Sequence, residues 1–200
     1  MDLLSSYEKI KDRIQNTCEK TKRQPQSLCL IAVSKKQSPE KILKLAQAGH
    51  RDFGENYVQE WQKKVLWLQE HDPLLASKIR WHFLGPLQSN KVKYIADQIT
   101  YLHTLDSLKL AEKLSQKIKK TQKILIQIKL GEEDSKSGIQ AEEALPLIQK
   151  IENLPNLKIT GLMSLPKPGP TKETRTYFKQ LKSLLDEIRP KLQSPEDFQE

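Results

Sequence analysis

The sequence predicts an α/β fold with a parallel sheet, and two observations support this. Short apolar segments typical of strands alternate six times with segments whose apolar residues recur at helical spacing. The connections between them are short, as in β–α units joined by helical crossovers. The chain has 200 residues, 36% of them hydrophobic, which suffices for one core, so we expect a single domain over residues 1–200.

In the first half of the chain, an amphipathic helix over residues 4–18 precedes three strand–helix units. Residues 28–33 form a continuous apolar run, which predicts a first strand buried on both faces. Ser38 and Pro39 then predict the N-cap and first turn of a helix that ends at Gly49. Further strands are predicted at residues 51–53 and 81–84, and further helices at 57–71 and 90–97.

The second half of the chain continues the alternation. Asp106 is expected to cap a helix that carries Leu108, Leu114 and Ile118 on its apolar face. Pro190 is expected to end the last helix. Strands are predicted at residues 101–103, 123–129 and 157–163, helices at 141–152 and 174–189, and a polar loop at 131–138.

Six β–α units fit two architectures. An open doubly wound sheet would be complete with 200 residues. An eight-stranded β/α barrel typically needs about 250 residues. Length alone therefore favours the open sheet.

Composition excludes several classes of protein. With 30% charged residues and a mean hydropathy of −0.65, the chain has no apolar run near the ~20 residues of a membrane span. Residues 1–8 lack the features of a secretory signal, and Cys18 and Cys29 are far from CxxC spacing, so we expect a cytoplasmic location. The net charge of +9 comes from 28 Lys and six Arg, and the Lys are scattered over several helices. We interpret them as solvated helix faces and do not expect a nucleic-acid partner.

Ligand sites in parallel α/β folds lie at the carboxyl ends of the strands. The residues that follow the predicted strands are rich in amide, hydroxyl and amine groups, with no His, Asp and Glu cluster at metal-ligand spacing. The sequence also lacks the G-x-G-x-x-G and G-x-x-x-x-G-K-[ST] phosphate-binding motifs and a serine nucleophile elbow. We therefore expect neither a metal site nor an NAD or ATP enzyme of the usual motif type.

Lys35 is the most suggestive of these residues because it follows the apolar first strand. Apolar walls would disfavour the ammonium form and so free the amine to attack an aldehyde. The alternative is that Lys35 extends its amine into solvent at the strand end. Lys36 competes for the same role, but neighbouring residues of an extended strand point to opposite faces, so only one of the two can enter the site.

Four further positions carry two interpretations each. Asn56 either contacts a ligand or caps the following helix. His82 lies in an apolar strand, where a satisfied core histidine is favoured over a ligand-binding one. Asn90 either helps a helix N-terminus to hold an anion or caps that helix, and residues 135–138 form either an anion nest or a solvated loop. His103 has no partner that the sequence names, and with the remaining histidines and both cysteines it is interpreted as structural.

Five segments resemble, in order and spacing, the motifs of the pyridoxal phosphate homeostasis proteins. They are Ala-Val-Ser-Lys at 32–35, Phe-Gly-Glu-Asn-Tyr-Val-Gln-Glu at 53–60, Trp-His-Phe-Leu-Gly-Pro-Leu-Gln-Ser-Asn-Lys at 81–91, Ser-Lys-Ser-Gly-Ile at 135–139 and Gly-Leu-Met-Ser at 161–164. The resemblance runs from about residue 5 to residue 200. It implies an α/β barrel of the (β/α)8 TIM type, like the N-terminal domain of bacterial alanine racemases.

The resemblance also implies a site for pyridoxal 5′-phosphate. By this similarity, Lys35 would hold the cofactor as a covalent Schiff base, and Asn56 would lie beside it. The other matching positions are His82, Asn90 and Met163 at the mouth of the barrel and Lys136 near its entrance. Family members bind the cofactor without an established catalytic activity and act in vitamin B6 and amino-acid homeostasis.

From this resemblance we expect a monomeric cofactor-binding protein without catalysis, whose partners are pyridoxal phosphate and the apo-enzymes that receive it. Two other functions stay open: a racemase-like enzyme, which needs a second base that a further domain supplies in alanine racemases, and a basic nucleic-acid-binding protein. The family pattern continues with two more strands beyond residues 198–200. We therefore expect only about six of the eight strands here, and two unpaired sheet edges.

Overall fold

The computed structural model describes residues 2–130, 137–166 and 169–200. The chain divides into two compact units, residues 1–81 and residues 82–200. The single domain expected over residues 1–200 stays a prediction. In the described part of the chain, no helix combines the length and the apolar character that crossing a membrane requires.

The first unit contains two β–α units and the start of a third strand. Its helices are α1 (Leu3–Thr21), α2 (Pro39–Gln47), α3 (Val58–His71) and the one-turn α4 (Pro73–Ala76). Its strands are β1 (Ala32–Val33), β2 (Asp52–Glu55) and the first two residues of β3 (Arg80–Phe83). Aromatic residues fill its core: Trp81 lies 6.5 Å from Trp61 and 6.1 Å from Phe53 between ring centroids. The core therefore ties α3 to the sheet.

The first strand is shorter and more exposed than the sequence predicted. Of residues 28–33, only Ala32 and Val33 form a strand, and Leu28 and Val33 are 40% and 47% exposed. Among the described residues, β1 lies at the end of the strand order and pairs with β2 through only Ala32 and Val33. The prediction of a long strand buried on both faces is therefore wrong.

The second unit contains the remaining strands and helices. Its strands are β4 (Tyr101–Leu105), β5 (Gln122–Gln127) and β6 (Leu157–Met163), after the end of β3. Its helices are α5 (Val92–Ile95), α6 (Leu108–Ser115), α7 (Ala141–Ile151) and α8 (Thr171–Ile188). Ser107 rather than Asp106 occupies the N-cap position of α6, one residue later than predicted.

The helix predicted at residues 90–97 is reduced to a 3-10 turn, Ser89–Lys91, followed by the single turn of α5. Helical backbone ends at Ala96, and Asp97 takes the left-handed conformation with φ of 61°. The Asp97 carboxylate then accepts hydrogen bonds from the backbone N–H groups of Lys119 and Lys120, both at 2.9 Å. A contact distant in sequence therefore overrides the local helical pattern.

The order of the strands decides between the two architectures. The six strands lie in the order β1-β2-β3-β4-β5-β6, and β1–β2, β3–β4, β4–β5 and β5–β6 pair in parallel. A doubly wound sheet reverses its strand order at a switch point, whereas a β/α barrel keeps chain order. The barrel type is therefore confirmed, and the preference for an open doubly wound sheet is wrong. The sheet is not closed, so the barrel is seen only in part.

The outer edge of β6 is partly covered by the end of the chain. The N–H groups of Gln199 and Glu200 donate to the Thr160 carbonyl at 2.8 and 2.9 Å, and the Leu162 N–H donates to the Glu200 carbonyl at 2.8 Å. A Cβ at Gly161 would lie 1.7 Å from that carbonyl oxygen, so glycine permits the approach. The expectation that this edge is unpaired is therefore wrong over these residues.

Histidines and a tyrosine pack together in the second unit. His82 Nδ1 lies 2.9 Å from His103 Nε2, and the His82 ring stacks on Tyr101 with centroids 5.2 Å apart. Both histidines are buried, at 4% and 8% exposure. His103 thus has the partner that the sequence did not reveal.

We predict that Phe198→Ala destabilises the protein by about 3–5 kcal/mol, because Phe198 is fully buried and its removal leaves a cavity. The matched control is Phe178→Ala on α8, since Phe178 is 51% exposed and its removal should cost far less. Urea unfolding followed by circular dichroism measures both. Equal effects of the two substitutions would contradict the prediction.

We predict that His103 makes the protein less stable as the pH falls below about 6.5. Burial, together with the charge of His82, lowers the pKa of His103 to about 3. Between that value and the unfolded pKa of 6.5, the unfolded chain binds more protons, so acid favours unfolding. At pH 5 the expected loss is about 2 kcal/mol relative to pH 7.

Unfolding free energies of the unsubstituted chain and of His103→Gln, measured at both pH values, check this expectation. The glutamine variant should lose less stability on acidification because its side chain does not titrate. An identical pH dependence of the two proteins would show that His103 is not the responsible group.

Candidate functional site

Lys35 lies at the carboxyl end of β1, where the sequence placed it. The register pairs Ala32 with Phe53 and Val33 with Gly54, and the Ser34 N–H continues the ladder with a 2.9 Å hydrogen bond to the Gly54 carbonyl. Lys35 follows in a turn, with its side chain exposed. The described residues of the first unit therefore do not supply the apolar walls that the sequence argument assumed.

Lys36 does not continue an extended strand, so the argument that Lys35 and Lys36 point to opposite faces does not apply. Lys36 is in the turn and has a left-handed φ of 59°. Its backbone N–H donates to Glu60 Oε1 at 2.5 Å. The conformation of this turn, and not strand alternation, decides where the two side chains go.

Asn56 directly follows β2 and is half-buried. It does not cap α3, because Tyr57 occupies the N-cap position and no side chain bonds the free N–H groups there. Asn56 Oδ1 is buried and has no hydrogen-bond partner among the described residues. A buried acceptor left unpaired costs free energy, which a ligand with a suitably placed donor would recover.

A buried ionic cluster lies beneath the Lys35 turn, which we call the Lys64 cluster: Ser34, Glu55, Glu60 and Lys64. Lys64 Nζ donates to Glu55 Oε1 and Glu60 Oε1, both at 2.6 Å, and to the Ser34 carbonyl at 2.7 Å. The Ser34 hydroxyl donates to Glu55 Oε1 at 2.7 Å. The Lys64 and Glu55 side chains are 5% and 0% exposed. All three donors of the ammonium are therefore satisfied.

The cluster keeps Glu60 ionised. Partial burial of this carboxyl would raise its pKa, but the hydrogen bonds from Lys64 and from the Lys36 backbone outweigh burial and lower it. Sequence reasoning missed this cluster. Its signal was the position of Lys64, three residues after Trp61 and four before Leu68, on the buried face of α3.

The residues predicted in the second unit occupy different settings. His82 is buried against His103 and Tyr101, as expected of a satisfied core histidine. Met163 ends β6, is half-buried, and accepts a 2.8 Å hydrogen bond from the Ile128 N–H through its carbonyl. These placements leave their contact with a ligand a prediction.

The structure adds no support for the ligand-binding roles predicted for Asn90 and Lys136. Asn90 is exposed in the 3-10 turn, and neither of the adjoining short helices receives a side-chain cap. Only the single turn of α5 follows it, so the interpretation that a helix N-terminus here holds an anion stays a prediction. Lys136 lies outside the described residues, as do residues 131–135, so the anion nest at 135–138 stays a prediction.

Gln127 is a further candidate that the sequence did not single out. It is the last residue of β5 and is 8% exposed. Its Nε2 donates to the Ser137 carbonyl at 3.0 Å, while its Oε1 is buried without a partner in the described part of the chain. Like Asn56, it presents an unpaired acceptor at the carboxyl end of a strand.

Comparisons with known proteins show the family of the chain. Residues 6–196 match the family of the alanine racemase N-terminal domain. The chain is 40% identical over 197 residues to the pyridoxal phosphate homeostasis protein of Pasteurella multocida, covering 96% of this chain and 82% of that one. It is 37% identical over 194 residues to the protein of the same name from Haemophilus influenzae, covering 94% and 80%.

A solved structure with pyridoxal phosphate bound, PipY of Synechococcus elongatus PCC7942, superimposes with a TM-score of 0.75 and 30% identity. The match covers 89% of this chain and 82% of PipY. A match over nearly the whole chain, together with 40% identity to a relative covered over four fifths of its length, determines the family. The chain belongs to the alanine racemase N-terminal domain family, among its pyridoxal phosphate homeostasis proteins.

Proposed function

We propose that this chain binds pyridoxal 5′-phosphate as a Schiff base on Lys35 and acts without catalytic turnover in vitamin B6 and amino-acid homeostasis in the cytoplasm. The observation that carries the proposal is the placement of Lys35 and Asn56 just beyond the adjacent carboxyl ends of β1 and β2. The pyridoxal phosphate bound to the related PipY supports it.

The residues at these strand ends fit the cofactor. Lys35 offers an exposed primary amine, and Asn56 offers a buried acceptor to which no group in the described ranges donates. Pyridoxal phosphate carries an aldehyde that condenses with an amine and a ring hydroxyl that donates a hydrogen bond. The two side chains therefore complement two groups of the same small molecule.

Lys35 supplies the nitrogen lone pair for this attachment. The amine would form a C=N bond to the aldehyde carbon as the aldehyde C=O breaks and its oxygen leaves as water with the two amine hydrogens; hydrolysis would reverse the step and release the aldehyde unchanged. Asn56 would orient the cofactor bound to Lys35 by accepting a hydrogen bond from it. The other cofactor-binding positions, His82, Asn90, Lys136 and Met163, are proposed on the family resemblance alone.

A carrier role is favoured over racemase activity because the relatives are named homeostasis proteins. Racemisation would require a second general base on the opposite side of the substrate from the lysine. The recipients we propose are apo-enzymes that need the cofactor, served by a monomer. Formation of D-alanine from L-alanine by the loaded protein would replace the carrier proposal with a racemase.

We predict that borohydride reduction of the protein incubated with pyridoxal phosphate leaves a pyridoxyl group on Lys35. Peptide mapping by mass spectrometry should find this adduct in the unsubstituted chain and in Lys36→Ala, the matched control, but not in Lys35→Ala. Adducts spread evenly over the surface lysines, with no excess at Lys35, would overturn the proposed function.

We predict that Asn56→Ala weakens pyridoxal phosphate binding about tenfold, since a hydrogen bond to the cofactor contributes roughly 1–2 kcal/mol. The same substitution should cost the cofactor-free protein little stability, because Asn56 Oδ1 has no partner to lose among the residues that the structure describes. Spectrophotometric titration and thermal unfolding measure the two effects. Asn153→Ala, which removes an exposed hydrogen bond to the Gln149 carbonyl of α7, serves as control.

A further inference from the structure

We propose that Lys64 is a positioning residue for Lys35, acting with Glu60 to fix the backbone on both sides of it. The inference rests on the proposed role of Lys35. Neither Lys64 nor Glu60 need touch the cofactor for this role. Their task is to hold the turn from which the Lys35 side chain extends.

On the N-terminal side of Lys35, the fixed group is the Ser34 carbonyl. It accepts a 2.7 Å hydrogen bond from Lys64 Nζ. The Ser34 hydroxyl is held at the same time by Glu55 Oε1 at 2.7 Å and by the Gly54 carbonyl at 3.3 Å. Ser34 is 6% exposed, so these bonds form away from competing water.

On the C-terminal side of Lys35, the fixed group is the Lys36 N–H, which donates to Glu60 Oε1. Lys36 has a φ of 59°, a backbone conformation that costs a residue other than glycine free energy. Such a residue holds this conformation only where its surroundings enforce it. Two contacts enforce it: the Gln37 N–H donates to the Ser34 carbonyl at 2.9 Å across the turn, and the Glu60 carboxylate accepts from the Lys36 N–H.

Lys64 Nζ connects the backbone before Lys35 with the backbone after it. Glu60 Oε1 accepts from both the Lys36 N–H and Lys64 Nζ, and Lys64 Nζ also donates to the Ser34 carbonyl. Lys64 therefore acts on both sides of Lys35. It holds the Ser34 carbonyl directly, and it positions the Glu60 carboxylate, which in turn holds the Lys36 N–H. Because a small displacement of a reacting group can lower a rate by orders of magnitude, loss of Lys64 should slow attachment at Lys35.

The test compares Lys64→Met, which keeps the length of the side chain without its charge, with Lys63→Met on the exposed face of the same helix. Each full-length protein is mixed briefly with pyridoxal phosphate, reduced with borohydride and mapped. We expect labelling of Lys35 to slow about tenfold in Lys64→Met while labelling of the other lysines is unchanged. Lys63→Met should label Lys35 at the unsubstituted rate.

A second pair of variants decides the matter if Lys64→Met does not fold. Glu60→Gln keeps an oxygen acceptor for the Lys36 N–H, and Glu60→Ala removes it. We expect the glutamine variant to restore most of the Lys35 labelling that the alanine variant loses, a rescue that a purely structural role would not produce. Hydrogen exchange of the Lys36 amide, measured without cofactor, should be faster in Glu60→Ala than in Glu60→Gln.

Labelling of the unsubstituted protein separates the positioning role of Lys64 from the proposed binding of cofactor at Lys35. If the unsubstituted protein gives no adduct at Lys35, the proposed function fails and this inference with it. If the unsubstituted protein labels Lys35 and the folded Lys64 and Glu60 variants label it equally fast, the positioning role alone is overturned.

Discussion

The ammonium group of Lys64, buried beneath the ends of β1 and β2, is the constraint on which the rest of the candidate site depends. A cation taken out of water is tolerated only when opposite charge and hydrogen-bond acceptors surround it. Here two carboxylates and one backbone carbonyl do so, and they come from three different elements of the chain. Their convergence ties the first turn after β1 to the first two turns of α3.

Two buried side-chain amide oxygens without hydrogen-bond partners are the second notable feature of the described residues. Asn56 and Gln127 lie at or just beyond the carboxyl ends of β2 and β5, and each has a buried side-chain oxygen without a partner in the described residues. Proteins satisfy most buried polar groups, and exceptions concentrate where ligands bind. In the first unit, a hydrogen-bonded turn lies next to the unpaired Asn56 acceptor, an arrangement suited to binding a polar small molecule rather than to maximal stability.

The sequence predicted the long, strongly periodic elements well. Residues 57–71 and 157–163 were predicted within a residue of α3 and β6, because their apolar spacing and end signals agree. The lengths of β1 and α5 could not be predicted, since only two residues of the apolar run 28–33 pair with β2 and the tertiary contacts of Asp97 follow the short α5. Lys35 and Asn56 followed from motif resemblance. Lys64 did not, because a lysine on a helix is solvent-exposed by default.

The outer edges of β1 and β6 influence whether two copies of this protein can associate through strand pairing. Unpaired strand margins are templates on which a second molecule can add a strand and begin to aggregate. At β6, residues 199 and 200 form backbone hydrogen bonds with Thr160 and Leu162, with Gly161 leaving room for them. At β1, only two residues adopt strand geometry, and the chain then turns away at Lys35 and Lys36. Because β1 is only two residues long, it buries less apolar area than a longer strand would. It also offers an incoming strand very few backbone groups with which to pair.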